Sequence, residues 1–158
     1  MLSSLKKRLR NEKGFTLIEL MVVVVIIGLL VAIILPQFFS QADKARVAKA
    51  KADIQSIKSA VELWASDPAG GNGRYPTTTQ IGTVLSNLGI NTTNLADPWG
   101  SRYVYAVNND TNPKQYMIIS KGQDLAYGGN DDIVATEKSS PTSGANVTIP
   151  QGWTSTDI

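Results

Sequence analysis

The 158-residue chain has no cysteine and no histidine. The first absence excludes disulfides, thiolate nucleophiles and cysteine-ligated zinc, and the second removes the commonest general base and the usual nitrogen ligand of zinc or copper. Serine or carboxylate chemistry survives this filter, yet no nucleophile stands beside an activating partner. The chain reads as non-enzymatic. An even spread of charge is also lacking. Residues 1–14 hold five bases (Lys6, Lys7, Arg8, Arg10, Lys13) and one acid (Glu12), net +4, which leaves ten bases against twelve acids, net −2, in the rest. A nucleic-acid partner would rest on those first residues alone, and none is expected.

What is present is a long apolar run. Residues 15–35 number 21, of which only Glu19 is charged. As a helix this run would span about 31 Å, close to the hydrocarbon thickness of a bilayer. The bases before it are the pattern that stays cytoplasmic, so the first reading is a single-pass anchor with its C-terminal part on the far side. A secretory signal fits less well, because its apolar core is shorter and ends at small residues, whereas this run ends in "LPQFF". An ionisable group inside such a run costs about 2.5–3.5 kcal/mol on insertion scales. From the residues alone, Glu19 is either a functional group or a carboxylate near the headgroups with no partner.

"GFTLIEL" (14–20), with the basic leader before it and Pro36 at the end of the run, resembles the class III signal of type IV pilins and type II secretion pseudopilins. The resemblance implies cleavage after Gly14 by a prepilin peptidase and N-methylation of the new terminus, Phe15. It also implies that Glu19 of one subunit pairs with the Phe15 ammonium of a neighbour. Such a pair sets register, since misplacement leaves a buried charge unpaired at about 3–5 kcal/mol.

Beyond Pro36, the positions Val47, Ala50, Ile54, Ile57, Val61 and Trp64 form an apolar stripe at helical spacing, with Lys49/Asp53 and Lys58/Glu62 as i,i+4 pairs. The pattern predicts one helix over 15–65, interrupted or bent near Gly28 and Pro36, whose second half lies on a small domain. Lys44, Arg46, Lys49, Lys51 and Lys58 read as a solvated face. "YPTTTQIGTVLSNLG" predicts a short helix capped by one of Thr77–Thr79 and stopped at Gly89. "DPWG" (97–100) predicts a type I turn, "RYVYAV" and "QYMIIS" an antiparallel hairpin, and 133–135 a third short strand. From Glu137 the Ser/Thr/Gly/Pro-rich sequence reads as a loop or mobile end anchored by Trp153.

"KGQDLAYGGNDDIV" places Asp124, Asp131 and Asp132 among three glycines. Converging carboxylates repel unless solvated or neutralised by a hard cation such as calcium. The spacing is not that of an EF-hand, and on chemistry alone a solvated acidic turn is the simpler reading. The order "YPTT…DPWG…Y.Y…S.G.D……DDI", however, is similar to the globular domain of the major (G-type) pseudopilin of type II secretion. That resemblance implies a structural calcium ion held by Asp124, Asp131 and Asp132 together with backbone carbonyls. The carbonyl of Lys121 is a candidate, although a lysine there departs from the family pattern.

The expectation is an α+β, pilin-like fold: leader 1–14, transmembrane and filament-core helix 15–35, amphipathic continuation 36–66, globular domain 67–136 and polar tail 137–158. The function implied is a structural subunit of a pseudopilus in the inner membrane, its domain periplasmic. It would polymerise with copies of itself and work with an assembly platform protein and minor pseudopilins to drive export. A type IV pilin of a surface fibre is the alternative, because it shares residues 1–65 and the long tail suits an exposed fibre.

Overall fold

A computed structural model describes residues 14–158; the bases of the leader lie outside the described residues. The elements in order are α1 (Leu17–Ser66), α2 (Ile81–Asn87), a 3-10 turn (Thr92–Asn94), β1 (Val104–Val107), β2 (Tyr116–Ser120), β3 (Asp132–Thr136), β4 (Ser139–Ala145) and β5 (Thr154–Asp157). This is the α+β, pilin-like architecture expected from the sequence. The chain divides into two compact units, the first ending at Ala42 and the second running from Asp43 to Ile158.

In the first unit the large apolar side chains from Phe15 to Phe39 are all exposed, from 44 % at Val31 to 87 % at Phe15. Apolar residues on every side of a helix, uncovered among the described residues, belong in lipid or against other helices. By length and composition this helix is able to cross a membrane. Of the interruption or bend expected near Gly28 and Pro36, the interruption does not occur: α1 is one helix through both residues. Pro36 removes its own N–H from the ladder and crowds the carbonyl four residues back, and the turns on either side carry the helix past it.

In the second unit, all strand pairs of the sheet are antiparallel, in the order β4-β3-β2-β1-β5. One face packs on α1 and α2, with Tyr103, Tyr105, Val107, Tyr116, Ile118, Ile133 and Ala135 meeting Ala50, Ile54, Ile57, Val61, Ile81 and Leu85. Val104 and Ile119 point to the other face, where Val147 and Ile149 cover them. β1 is therefore buried at every position, as a strand covered on both faces must be.

Two expectations are corrected here. Residues 137–158 are not a loose tail, because they supply both edge strands. β4 pairs with β3 and β5 with β1. Serine and threonine suit a pleated edge, Pro141 is tolerated on an outermost strand, and the unpaired ladders of β1 and β3 offer partners. The anchors of this segment are Val147 and Ile158, both buried, more than half-buried Trp153. Lys58 is not on the solvated face. It is 8 % exposed, and its Nζ donates to the carbonyls of Thr136 (2.6 Å) and Ser139 (3.0 Å), tying the β3–β4 turn to α1. It also keeps its ion pair with Glu62 at 3.2 Å. The cap expected from one of Thr77–Thr79 is made by Thr77, about one turn ahead of α2: Thr77 Oγ1 accepts from Gln80 N and Gln80 Oε1 accepts from Thr77 N, while Gln80 itself makes no side-chain cap. The DPWG turn closes as expected, Gly100 N donating to Asp97 O at 3.0 Å.

Three fully buried tyrosines staple the sheet to what lies over it. Tyr103 donates to Asp53 Oδ2 (2.9 Å), Tyr105 to the carbonyl of Pro76 (2.9 Å) and Tyr116 to Glu62 Oε1 (3.1 Å). Burial above all, with the adjacent carboxylates of Asp53 and Glu62, pushes the Tyr103 and Tyr116 phenols far above their ordinary range, and burial does the same to Tyr105. A raised folded-state pKa means that the unfolded chain releases the proton first. This stabilisation is thus complete below about pH 10, the ordinary tyrosine value, and declines as pH rises above it. In thermal melts from pH 7 to 12 with tyrosinate absorbance followed in parallel, Tyr75 and Tyr127 should ionise first, and the other three only as the melting temperature collapses. Five tyrosines titrating together in a fully folded chain would contradict this.

Candidate functional site

The first site lies at the start of α1. Gly14 and Phe15 precede the helix and are exposed, so the peptide bond between them is accessible. Thr16 and Glu19 then form a reciprocal cap. Glu19 Oε2 accepts from Thr16 N at 2.8 Å and from Thr16 Oγ1 at 2.7 Å, while Glu19 N donates to Thr16 Oγ1 at 3.3 Å. This is the capping-box arrangement, which satisfies donors that a helix start leaves open. Glu19 has a partner within its own chain, a reading the sequence analysis missed although Thr-x-x-Glu stands plainly in it.

The second site is the loop 121–131 between β2 and β3. Asp131 Oδ2 accepts from Gln123 N (2.6 Å) and Asp124 N (3.0 Å), which turns the loop around this one oxygen. Asp124 Oδ1 accepts from Ala126 N at 2.9 Å. Asp132, fully buried at the start of β3, accepts through Oδ2 from Gly128 N (2.8 Å) and from Val147 N (3.1 Å). The other oxygens of this pair, Asp131 Oδ1 and Asp132 Oδ1, are buried with no hydrogen-bond partner. An anionic oxygen removed from water without a donor is costly.

Glycines make the turn possible. A β-carbon on Gly129 (φ +79°) would collide with Asp124 Oδ2 and stand 3.0 Å from Asp131 Oδ1, so both oxygens crowd that backbone. Leu125 and Asn130 also hold positive φ, at 61° and 67°, a conformation that costs a non-glycine residue about 1–2 kcal/mol. Lys121 places its ammonium 5.0 Å from the centre of the Tyr127 ring, within cation–π range. The three carboxylates do not form a three-ligand cluster as they stand, and no such cluster of His, Cys, Asp or Glu occurs among the described residues.

The donor set nevertheless suits a hard cation. Two buried oxygens lack any partner, a third carboxylate oxygen borders the same glycine, and backbone carbonyls are the usual complement for calcium. A support beneath the loop, unmarked by any sequence pattern, comes from the DPWG turn. Buried Asp97 accepts from Trp99 N (3.1 Å) and Ser101 N (2.8 Å) through Oδ1, and from Ser120 Oγ (2.7 Å) through Oδ2. Ser120 Oγ in turn receives Gly122 N at 3.4 Å, so the DPWG turn is wired to the first residues of the loop.

Gly129→Ala should lower stability more than Gly73→Ala. Both residues hold positive φ, but only at Gly129 would the new methyl meet carboxylate oxygens, whereas Gly73 has open space. The strain common to both is about 1 kcal/mol, and thermal unfolding of the two variants should separate them. Equal losses would show that the carboxylates do not crowd Gly129.

Residues 37–136 match the family described as type II secretion system (T2SS), protein G, and residues 9–35 match the prokaryotic N-terminal methylation motif. Similar proteins include the type II secretion system core protein G of Pseudomonas aeruginosa, 36 % identical over 136 residues that cover 78 % of this chain and 92 % of the relative. The Escherichia coli (strain K12) protein of the same name is 35 % identical over 136 residues (78 % and 90 %). That of Vibrio cholerae is 32 % identical over 143 residues (80 % and 93 %).

Proposed function

Because the chain belongs to the type II secretion system protein G family, we propose that it is the structural subunit of a pseudopilus whose polymerisation drives protein export. The observation that carries this reading is the uncovered apolar helix, with one carboxylate near its start, ahead of a domain that matches the family. The precursor sits in the inner membrane with its basic leader cytoplasmic and its second unit on the far side. A prepilin peptidase cleaves after Gly14, Phe15 is N-methylated, and an assembly platform protein and minor pseudopilins take part in growth. A surface pilin shares residues 1–65, and the long polar tail suits an exposed fibre; the match of residues 37–136 to the protein G family favours the pseudopilus.

Glu19 then has two partners to choose between. In the lone chain its carboxylate caps α1 through Thr16; in the filament it meets the ammonium of a neighbour's Phe15. Capping and charge can be separated, since glutamine serves at this capping position as glutamate does. Glu19→Gln should insert normally yet fail to form filaments, as Glu19→Ala should, when assembly is scored by shearing and crosslinking. Wild-type assembly by Glu19→Gln would leave only the cap as the role of Glu19.

Calcium is the ion we assign to the loop 121–131, held by Asp124, Asp131 and Asp132 with backbone carbonyls, that of Lys121 among the candidates. When bound, it would neutralise the two partnerless oxygens and staple a domain that has no disulfide. The full chain in detergent should melt several degrees lower in excess chelator than in calcium, and Asp124→Ala should abolish the difference. Superimposable wild-type melts would remove calcium from the account.

A further inference from the structure

We propose that residues 146–149, outside the 37–136 family match, act as a strap that positions Asp132 for the cation; this rests on the calcium reading above. Four observations converge on the segment. Val147 N–H donates to Asp132 Oδ2, which also receives Gly128 N–H. Two donors on one oxygen fix the plane of the carboxylate, so that Oδ1 is presented where no protein donor reaches it. Val147 is 7 % exposed and packs with Val104 and Ile119, joined by Ile149, so the donor is held by a hydrophobic anchor. Asn146 Oδ1 lies 3.2 Å from where a β-carbon on Gly128 would stand, which seats the strap on the loop backbone. Finally, Asp132 pairs with Ala145 in the β3–β4 ladder, so the strap begins where the ligand does.

Groups that hydrogen-bond a metal's ligands orient them and raise affinity, and their loss costs about 10–100-fold. Val147 and Gly128 stand in that relation to Asp132. The coupling is reciprocal: if the strap raises affinity for the cation, the cation must stabilise the strap to the same extent. The strap also explains why Val104 and Ile119 are buried on the second face of the sheet, since Val147, which packs on them, also holds the aspartate.

The test uses the full chain in detergent micelles. Calcium affinity is measured by titration calorimetry for the wild type and Val147→Pro, which removes the donor N–H. In parallel, hydrogen exchange over 144–150 is followed in the wild type with calcium and with chelator. Val147→Pro should lose about tenfold or more in affinity, and calcium should slow exchange in the wild-type strap by a similar factor. If the variant does not fold, as judged by near-ultraviolet circular dichroism, the wild-type exchange decides alone. Exchange that calcium leaves unchanged, while calcium binds the wild type, overturns the strap. A wild type that takes up no calcium overturns the calcium reading itself, and the strap with it.

Discussion

The carboxylate of Asp132 is the point on which the second unit turns. Its Oδ2 receives one N–H from the aspartate loop and one from the segment after β4, while its backbone is part of the sheet. Loop, strand and C-terminal segment thus share a single buried anion. Its remaining oxygen has no partner. Among the described residues the other buried side-chain atoms without a partner are Asp131 Oδ1, in the same loop, and Trp99 Nε1, and of these only the carboxylate oxygens carry charge that a cation would offset.

The same economy runs through the domain. There is no cysteine to staple it, so cross-links of other kinds tie the helix to the sheet. Tyr103 and Tyr116 reach the helix carboxylates Asp53 and Glu62, and Lys58 reaches the β3–β4 turn. The sheet is closed at one edge by a strand whose last neighbour, Ile158, is buried and donates its N–H to Tyr103 O. The first unit obeys the opposite rule, leaving its apolar side chains uncovered. One unit is finished in itself and the other requires lipid or further helices, which is the division of labour a membrane-inserted filament subunit needs.

Much of this was legible in the sequence. The 3,4 spacing of Ala50, Ile54, Ile57 and Val61 identified the buried face of α1, β-rich runs identified β1 and β2, and Asp-Pro-Trp-Gly identified its turn. What escaped depends on partners distant in sequence. Lys58 sits at the helical position beside Ile54 and Ile57, but the carbonyls that accept its protons belong to Thr136 and Ser139. Residues 139–145 carry no alternation of apolar and polar side chains, because β4 is specified by the open ladder of β3 rather than by a face of its own. The Thr16–Glu19 cap was hidden by a different cause: a membrane-length run draws attention to hydropathy and away from helix ends. At the loop, sequence supplied the three aspartates, while only the structure separates the oxygens that are satisfied from the two that are not.

The proposed cation would lie beside Asp131 Oδ1 and Asp132 Oδ1, where the loop and the segment after β4 meet on one aspartate. A crystal structure of the calcium-loaded second unit in its full-length context, with anomalous data at a wavelength where calcium scatters, tests this most directly. The account predicts an anomalous peak contacted by both of these oxygens, with Val147 N–H still on Asp132 Oδ2. A peak-free site in which water or a protein N–H satisfies both oxygens would contradict it.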